Sequence, residues 1–111
     1  MKCAFLILLW VVGLGTLSAQ NPGPAVTGAI ATPLIHGINL SWTASVTPGV
    51  TYNVYRSGGS GGPYTQIASG LAVLSFTNSG LPSSTTFYYV VTSVDVNGES
   101  SYSNQASATT L

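Results

Sequence analysis

Asp95 and Glu99 stand four positions apart in "DVNGE" and are the only carboxylate side chains in the chain of 111 residues. Two carboxylates can hydrolyse a glycosidic bond, one as acid and the other as base or nucleophile. The acid of such a pair needs an apolar setting that raises its pKa. Here the pair flanks Asn97-Gly98, a turn signal, and charged turn residues are ordinarily solvated. No catalytic residue is therefore expected. His36 in "PLIHG" and Cys3 are the single histidine and the single cysteine, too few to assemble a zinc site. "DVNGE" also lacks the spaced run of oxygen ligands of a calcium loop. The serines have no base and orienter to activate one of them. "SGGSGG" has neither the lysine nor the following helix of a phosphate cradle, and is expected to be a flexible loop. Asn39-Leu40-Ser41 matches a glycosylation acceptor, but it falls inside an expected strand and is taken as coincidence. No metal and no cofactor is expected.

The tyrosines are the remaining candidates. Tyr55, Tyr64, Tyr88 and Tyr102 fall on outward or half-buried positions of the pattern described below. Exposed aromatic rings can stack on sugars. Against that, amphipathic tyrosine is an ordinary covering for a sheet, and cross-strand pairs alone explain its spacing. Sheet packing is the favoured reading. A coplanar, exposed row of rings would favour a sugar; scattered rings would favour an interaction module.

What positions these residues begins after the leader. Met1-Lys2, an apolar block over 3–14 and Gly15-Thr16-Leu17-Ser18-Ala19 form a basic, then apolar, then small-residue series, the pattern of a cleaved signal peptide. The block is short of the ~20 apolar residues that a bilayer span needs. Residues 1–19 are expected to leave by cleavage near Ala19, and the intact mass of the exported product should show that loss. Full-length chain in the membrane fraction would overturn it. Cys3 leaves with the leader, so no disulfide can form. The remaining chain keeps Arg56, Asp95, Glu99 and His36 as its charged or titratable landmarks. Nucleic-acid binding draws its affinity from several Lys/Arg contacts, and anionic membranes attract basic clusters; neither partner is expected.

Residues 20–25, "QNPGPA", form a Pro/Gly linker. From Val26 onward apolar residues alternate with polar ones at period two. "INLSW" puts Ile38, Leu40 and Trp42 on one face; "YNVYR" puts Tyr52 and Val54 opposite Asn53 and Tyr55; "FYYVVTSV" separates Phe87, Tyr89 and Val91 from Tyr88 and Val90. β-branched and aromatic residues suit such runs. Seven strands are expected, over 26–32, 37–44, 51–57, 64–68, 74–78, 85–94 and 101–109, with a hairpin at Asn97-Gly98. Short strands with frequent turns indicate an all-β sandwich.

In order, "INLSW", "TYNVYRSGGSGGPYTQIASGL", "LSFTNSGLPSSTTFYYVVTSVDVNGES" and "SYSNQASATT" resemble a fibronectin type III domain of exported bacterial type, over residues 26–111. The resemblance implies a Greek-key, immunoglobulin-like sandwich of seven strands, three facing four. It implies a core position for Trp42 and a leucine–aromatic pair at Leu81 and Phe87. The family usually has tyrosine at the position of Phe87, with its hydroxyl bonded to the nearby turn. That bond is expected to be missing here, and Phe87→Tyr to restore it. A one-residue slip onto Tyr88 would turn the whole strand over and is rejected. The loop "DVNGES" has no Arg-Gly-Asp, so integrin binding is not implied.

The combined expectation is a secreted, cell-envelope or periplasmic module that is monomeric and not an enzyme. It would serve protein interaction or spacing. The alternative is a carbohydrate-binding module using the four tyrosines. The partner would be an unknown protein or a cell-surface polysaccharide.

Overall fold

The computed structural model describes residues 23–111; the expected leader over 1–19 and the first half of the linker lie outside the described residues. Eight strands follow one another: β1 (Ile30–Leu34), β2 (Gly37–Ser41), β3 (Thr51–Ser57), β4 (Thr65–Leu71), β5 (Ser75–Ser79), β6 (Thr86–Asp95), β7 (Gly98–Glu99) and β8 (Ala106–Thr109). They form two antiparallel sheets. One has the order β1-β2-β5; the other runs β4-β3-β6, with β7 and β8 both pairing with β6. The sheets face each other over a core of Ile38, Leu40 and Trp42 from one side and Tyr52, Val54, Tyr89 and Val91 from the other. Val26 and Leu81 join the same core. The period-two alternation of "INLSW", "YNVYR" and "FYYVV" thus defines the inner faces, because successive strand residues point to opposite sides.

Three expectations need correction. The first strand begins at Ile30, not Val26. Gly28 breaks it with a φ of 67°, and a Cβ there would lie 2.4 Å from the Thr43 hydroxyl oxygen. The strand then continues through Pro33, which a ladder tolerates because β1 is an edge. The fourth strand runs on to Leu71 across an irregularity in register. Gly70, at a φ of 65°, gives its N–H to the Asn53 side chain at 3.1 Å instead of to a strand neighbour.

The third correction is the strand count. The last strand expected over 101–109 shrinks to β8, and the two-residue β7 before it is the eighth strand; serine hydroxyls replace main-chain acceptors between the two. Ser93 N–H donates to Ser100 Oγ at 3.0 Å and Val91 N–H to Ser103 Oγ at 2.9 Å. In return Ser100 N–H reaches Ser93 O at 2.8 Å and Ser103 N–H reaches Val91 O at 2.9 Å. Residues 100–105 therefore follow β6 without forming a regular ladder. Asn104 links this segment to the start of the chain: its side chain accepts from Ala29 N–H at 3.1 Å and donates to Ala29 O at 3.0 Å.

At the Phe87 end of the sandwich, the turn over 81–84 is held by other groups. His36, in the left-handed region at a φ of 55°, donates from Nδ1 to Leu81 O at 3.0 Å and accepts from Leu81 N–H at 3.0 Å. Buried Thr110 donates its hydroxyl to Pro82 O at 2.6 Å, and Thr85 donates to Ser83 O at 2.9 Å. Phe87 is half-buried, with the Arg56 guanidinium 5.1 Å from its ring centre. The carbonyls of Leu81, Pro82 and Ser83 each already accept a side-chain donor, so a tyrosine hydroxyl at 87 would add only a second bond to one of them. The expected benefit of restoring it is thus revised: Phe87→Tyr should not raise the urea midpoint. A rise equivalent to one satisfied hydrogen bond, about 0.5–1.5 kcal/mol, would show that the turn still has an open acceptor.

Candidate functional site

The outer face of the larger sheet carries the tyrosines. Tyr55 lies opposite Val90, and Asn53 opposite Thr92, on neighbouring strands. The segment over 100–105 adds Tyr102, and the end of the β3–β4 loop adds Tyr64. The rings of Tyr55 and Tyr102 are 5.4 Å apart and tilted by 58°; those of Tyr64 and Tyr102 are 5.3 Å apart at 74°. Three of the four expected residues thus meet. Tyr88 shares the face, opposite Ser57 and Ser107, but stands outside this ring cluster. Tilted and edge-on rings brace one another; they do not form a coplanar stacking row. Val90, on the same face as Tyr88 and opposite Tyr55, is buried rather than exposed.

The "SGGSGGP" loop is closed by hydrogen bonds, contrary to the expected flexible loop. Gly62 N–H bonds to Gly59 O at 3.2 Å and Gly59 N–H to Ser57 Oγ at 3.0 Å. Gln105 then clasps it from the far edge: its Oε1 accepts from Gly61 N–H at 2.7 Å and from the Tyr64 hydroxyl, while its Nε2 donates to Ser60 Oγ at 3.1 Å. Gly61 and Gly62, at φ values of 83° and 92°, permit this path.

Glu99 departs most from expectation. Its Oε2 accepts hydrogen bonds from Thr92 Oγ1 at 2.6 Å, Asn53 Nδ2 at 3.2 Å and the Tyr55 hydroxyl. Asn53, buried, thereby connects β4 at Gly70 to β7 at Glu99. The bonds from Thr92 and Tyr55, and then Asn53, hold the Glu99 carboxyl below its ordinary value, with burial opposing. Burial, followed by the bond to Glu99 and its charge, raises the Tyr55 phenol. A carboxylic general acid needs the opposite shift. Asp95 does not join Glu99. Its Oδ1 accepts from Asn97 N–H at 2.7 Å and its Oδ2 from Gly23 N–H at 3.2 Å. At this turn Gly98 alone takes the positive φ, 123°; Asn97 does not share it.

Tyr55, Thr92, Glu99, Ser100, Ser101 and Tyr102 line an open pocket of about 320 Å³. The signal for it in the sequence was weak: Tyr55 and Tyr102 stood out as aromatics, but nothing local announced that Glu99 would face them.

The fold has a close solved counterpart. An Fn3-like protein from Clostridium thermocellum superposes with a TM-score of 0.69 and 37% identity, over 80% of this chain and 95% of that one. This chain belongs to the fibronectin type III family. Two curated relatives contain a similar stretch. A poly(3-hydroxybutyrate) depolymerase from Ralstonia pickettii is 39% identical over 88% of the chain, and an amylopullulanase from Thermoanaerobacter thermohydrosulfuricus is 39% identical over 64% of it. The chain spans only 18% and 5% of their lengths. No family model matches the sequence.

For this fibronectin type III domain the Glu99 network has a pH consequence. A carboxyl whose pKa is lowered by folding adds stability above its unfolded value, and that stability is lost as pH falls through the lower, folded value. Glu99→Gln should therefore flatten the acid limb of stability below the ordinary glutamate range. Because Glu99 is exposed, the difference should stay within the ~0.2–1 kcal/mol of surface charge contacts. Urea midpoints of both proteins at neutral pH and near pH 3 measure it; parallel acid limbs would contradict it.

Proposed function

We propose that the chain is a non-catalytic module of an exported system, serving protein interaction or spacing. One observation carries this reading. The same fibronectin type III stretch, at 39% identity in each case, recurs as a small part of two enzymes whose names refer to unlike polymers. A shared module that recognised polymer would need to recognise both. A rigid sandwich that separates or docks other domains serves either enzyme. The tilted tyrosine rings agree, since a stacking platform for sugars would present them coplanar. The downward shift at Glu99 and the separate engagement of Asp95 argue against paired-carboxylate hydrolysis. Export is supported by the leader pattern over 1–19.

The test is co-sedimentation of the purified domain, residues 20–111, with insoluble starch and with poly(3-hydroxybutyrate) granules. The supernatants are then assayed for released sugar and hydroxybutyrate. The expected result is neither retention nor release. Saturable retention on starch would replace this reading with the carbohydrate-binding one, and release of product would make the domain an enzyme.

A further inference from the structure

We propose that the pocket between Tyr55, Tyr102 and Glu99 receives a guanidinium or ammonium side chain from a protein partner; this rests on the protein-interaction reading above. The first reason is charge. Arg56 is the sole lysine or arginine among the described residues, and it is committed elsewhere. Its Nη1 donates to Asn78 Oδ1 at 3.2 Å and its guanidinium lies over Phe87, on the inner side of the sheet. Among the described residues, Glu99 thus has no lysine or arginine beside it on the outer face.

The second reason is how that charge is held. The three hydrogen bonds on Glu99 all fall on Oε2. They fix the carboxylate, and none of the described residues makes such a bond to Oε1. A fixed acceptor with an unused oxygen suits a charge-assisted bond from an arriving N–H donor. Because the carboxylate is already in place, little freedom is lost when the donor binds.

The third reason is the aromatic wall. Tyr102 is 49% exposed, yet it is flanked by Tyr55 on one side and Tyr64 on the other. Tyr64 is held in turn by Gln105. A cation placed against such a ring is attracted by its negative face, and rigid tyrosines lose little entropy as contact residues. Other ligands fit less well. An anion meets Glu99. A neutral sugar chain stacks on a coplanar row of rings, and these rings are tilted by 58° and 74° to one another. At about 320 Å³ the pocket lies near the lower limit for a ligand site and has room for one long side chain.

One cation on an exposed ring and carboxylate improves affinity by roughly tenfold, so a single amino acid would be too weak a probe. A capped tetra-arginine peptide is therefore titrated into the isotope-labelled domain, with tetra-glutamate and maltotetraose as parallel arms, followed by backbone amide shifts. Tetra-arginine is expected to move the amides of Tyr55, Glu99, Ser101 and Tyr102, less so in added salt, and tetra-glutamate to move none. Glu99→Gln and Tyr102→Ser should each weaken the peptide about threefold, and the double variant about tenfold. Thermal melts of both variants check that they are folded, and Tyr102→Ser provides the decision if Glu99→Gln is not. Shifts scattered over the surface, equal affinity in a folded variant, or no shifts at all overturn the cation assignment and leave the proposed function standing. Maltotetraose shifting these amides while the peptide does not overturns both.

Discussion

Truncating Trp42 to alanine should cost the domain about 3–5 kcal/mol, the range for emptying a large aromatic site in a core. The side chain is 5% exposed and packs against the Tyr52 ring at 5.6 Å, tilted by 55°. Its neighbours cannot readily collapse into the gap. Ile38 and Leu40 are fixed in β2, and the Tyr52 hydroxyl is anchored by the Ser45 N–H at 2.8 Å. A domain of this size holds only about 5–15 kcal/mol in total, so the variant should lose a large share of its stability. Trp42→Phe separates size from polarity. The Trp42 Nε1 is buried and has no hydrogen-bond partner among the described residues, so phenylalanine sacrifices volume but none of the bonds they make. Its cost should be clearly smaller than that of alanine. Urea unfolding followed by circular dichroism, compared at equal slope, measures both. If Trp42→Ala unfolds at the wild-type midpoint, the ring does not fill the space between the sheets.

Replacing Ser103 with alanine should cost about 1–3 kcal/mol, the penalty for leaving a buried donor unsatisfied. Ser103 is 8% exposed, and its hydroxyl accepts from Val91 N–H while donating to Asn104 O at 2.8 Å. An ordinary surface serine would give a change within about 0.5 kcal/mol. The location of the effect matters as much as its size. Val91 lies in the middle of β6, so hydrogen exchange at its amide should accelerate more than at Val90 once the change in global stability is allowed for. A variant with wild-type stability and unchanged exchange at Val91 would mean that water replaces the hydroxyl, or that residues 100–105 pair with β6 in another way. The same experiment bears on the pocket, since this segment carries Ser100, Ser101 and Tyr102.

The sequence by itself determined the sandwich and most of its core. Ile38, Leu40, Trp42, Tyr52, Val54, Tyr89 and Val91 were all legible as inward residues, since side-chain alternation in a strand is a local property and survives any tertiary context. β3, at Thr51–Ser57, was read to its ends because glycine-containing turns bound it on both sides. What only the tertiary structure decided depends on side chains acting as main chain, which leaves no period to read. Ser100 and Ser103 replace carbonyls and shorten the last strand; Asn53 takes the N–H of Gly70 and lengthens β4; Thr110 and His36 hold the turn that a tyrosine would otherwise cap. The candidate site belongs to the same class. Tyr55 was visible as an outward aromatic and Tyr102 as a candidate beside it. Their meeting with Glu99 required the 100–105 segment to fold back along β6, joining residues more than 40 positions apart through hydroxyls and amides whose partners no local pattern specifies.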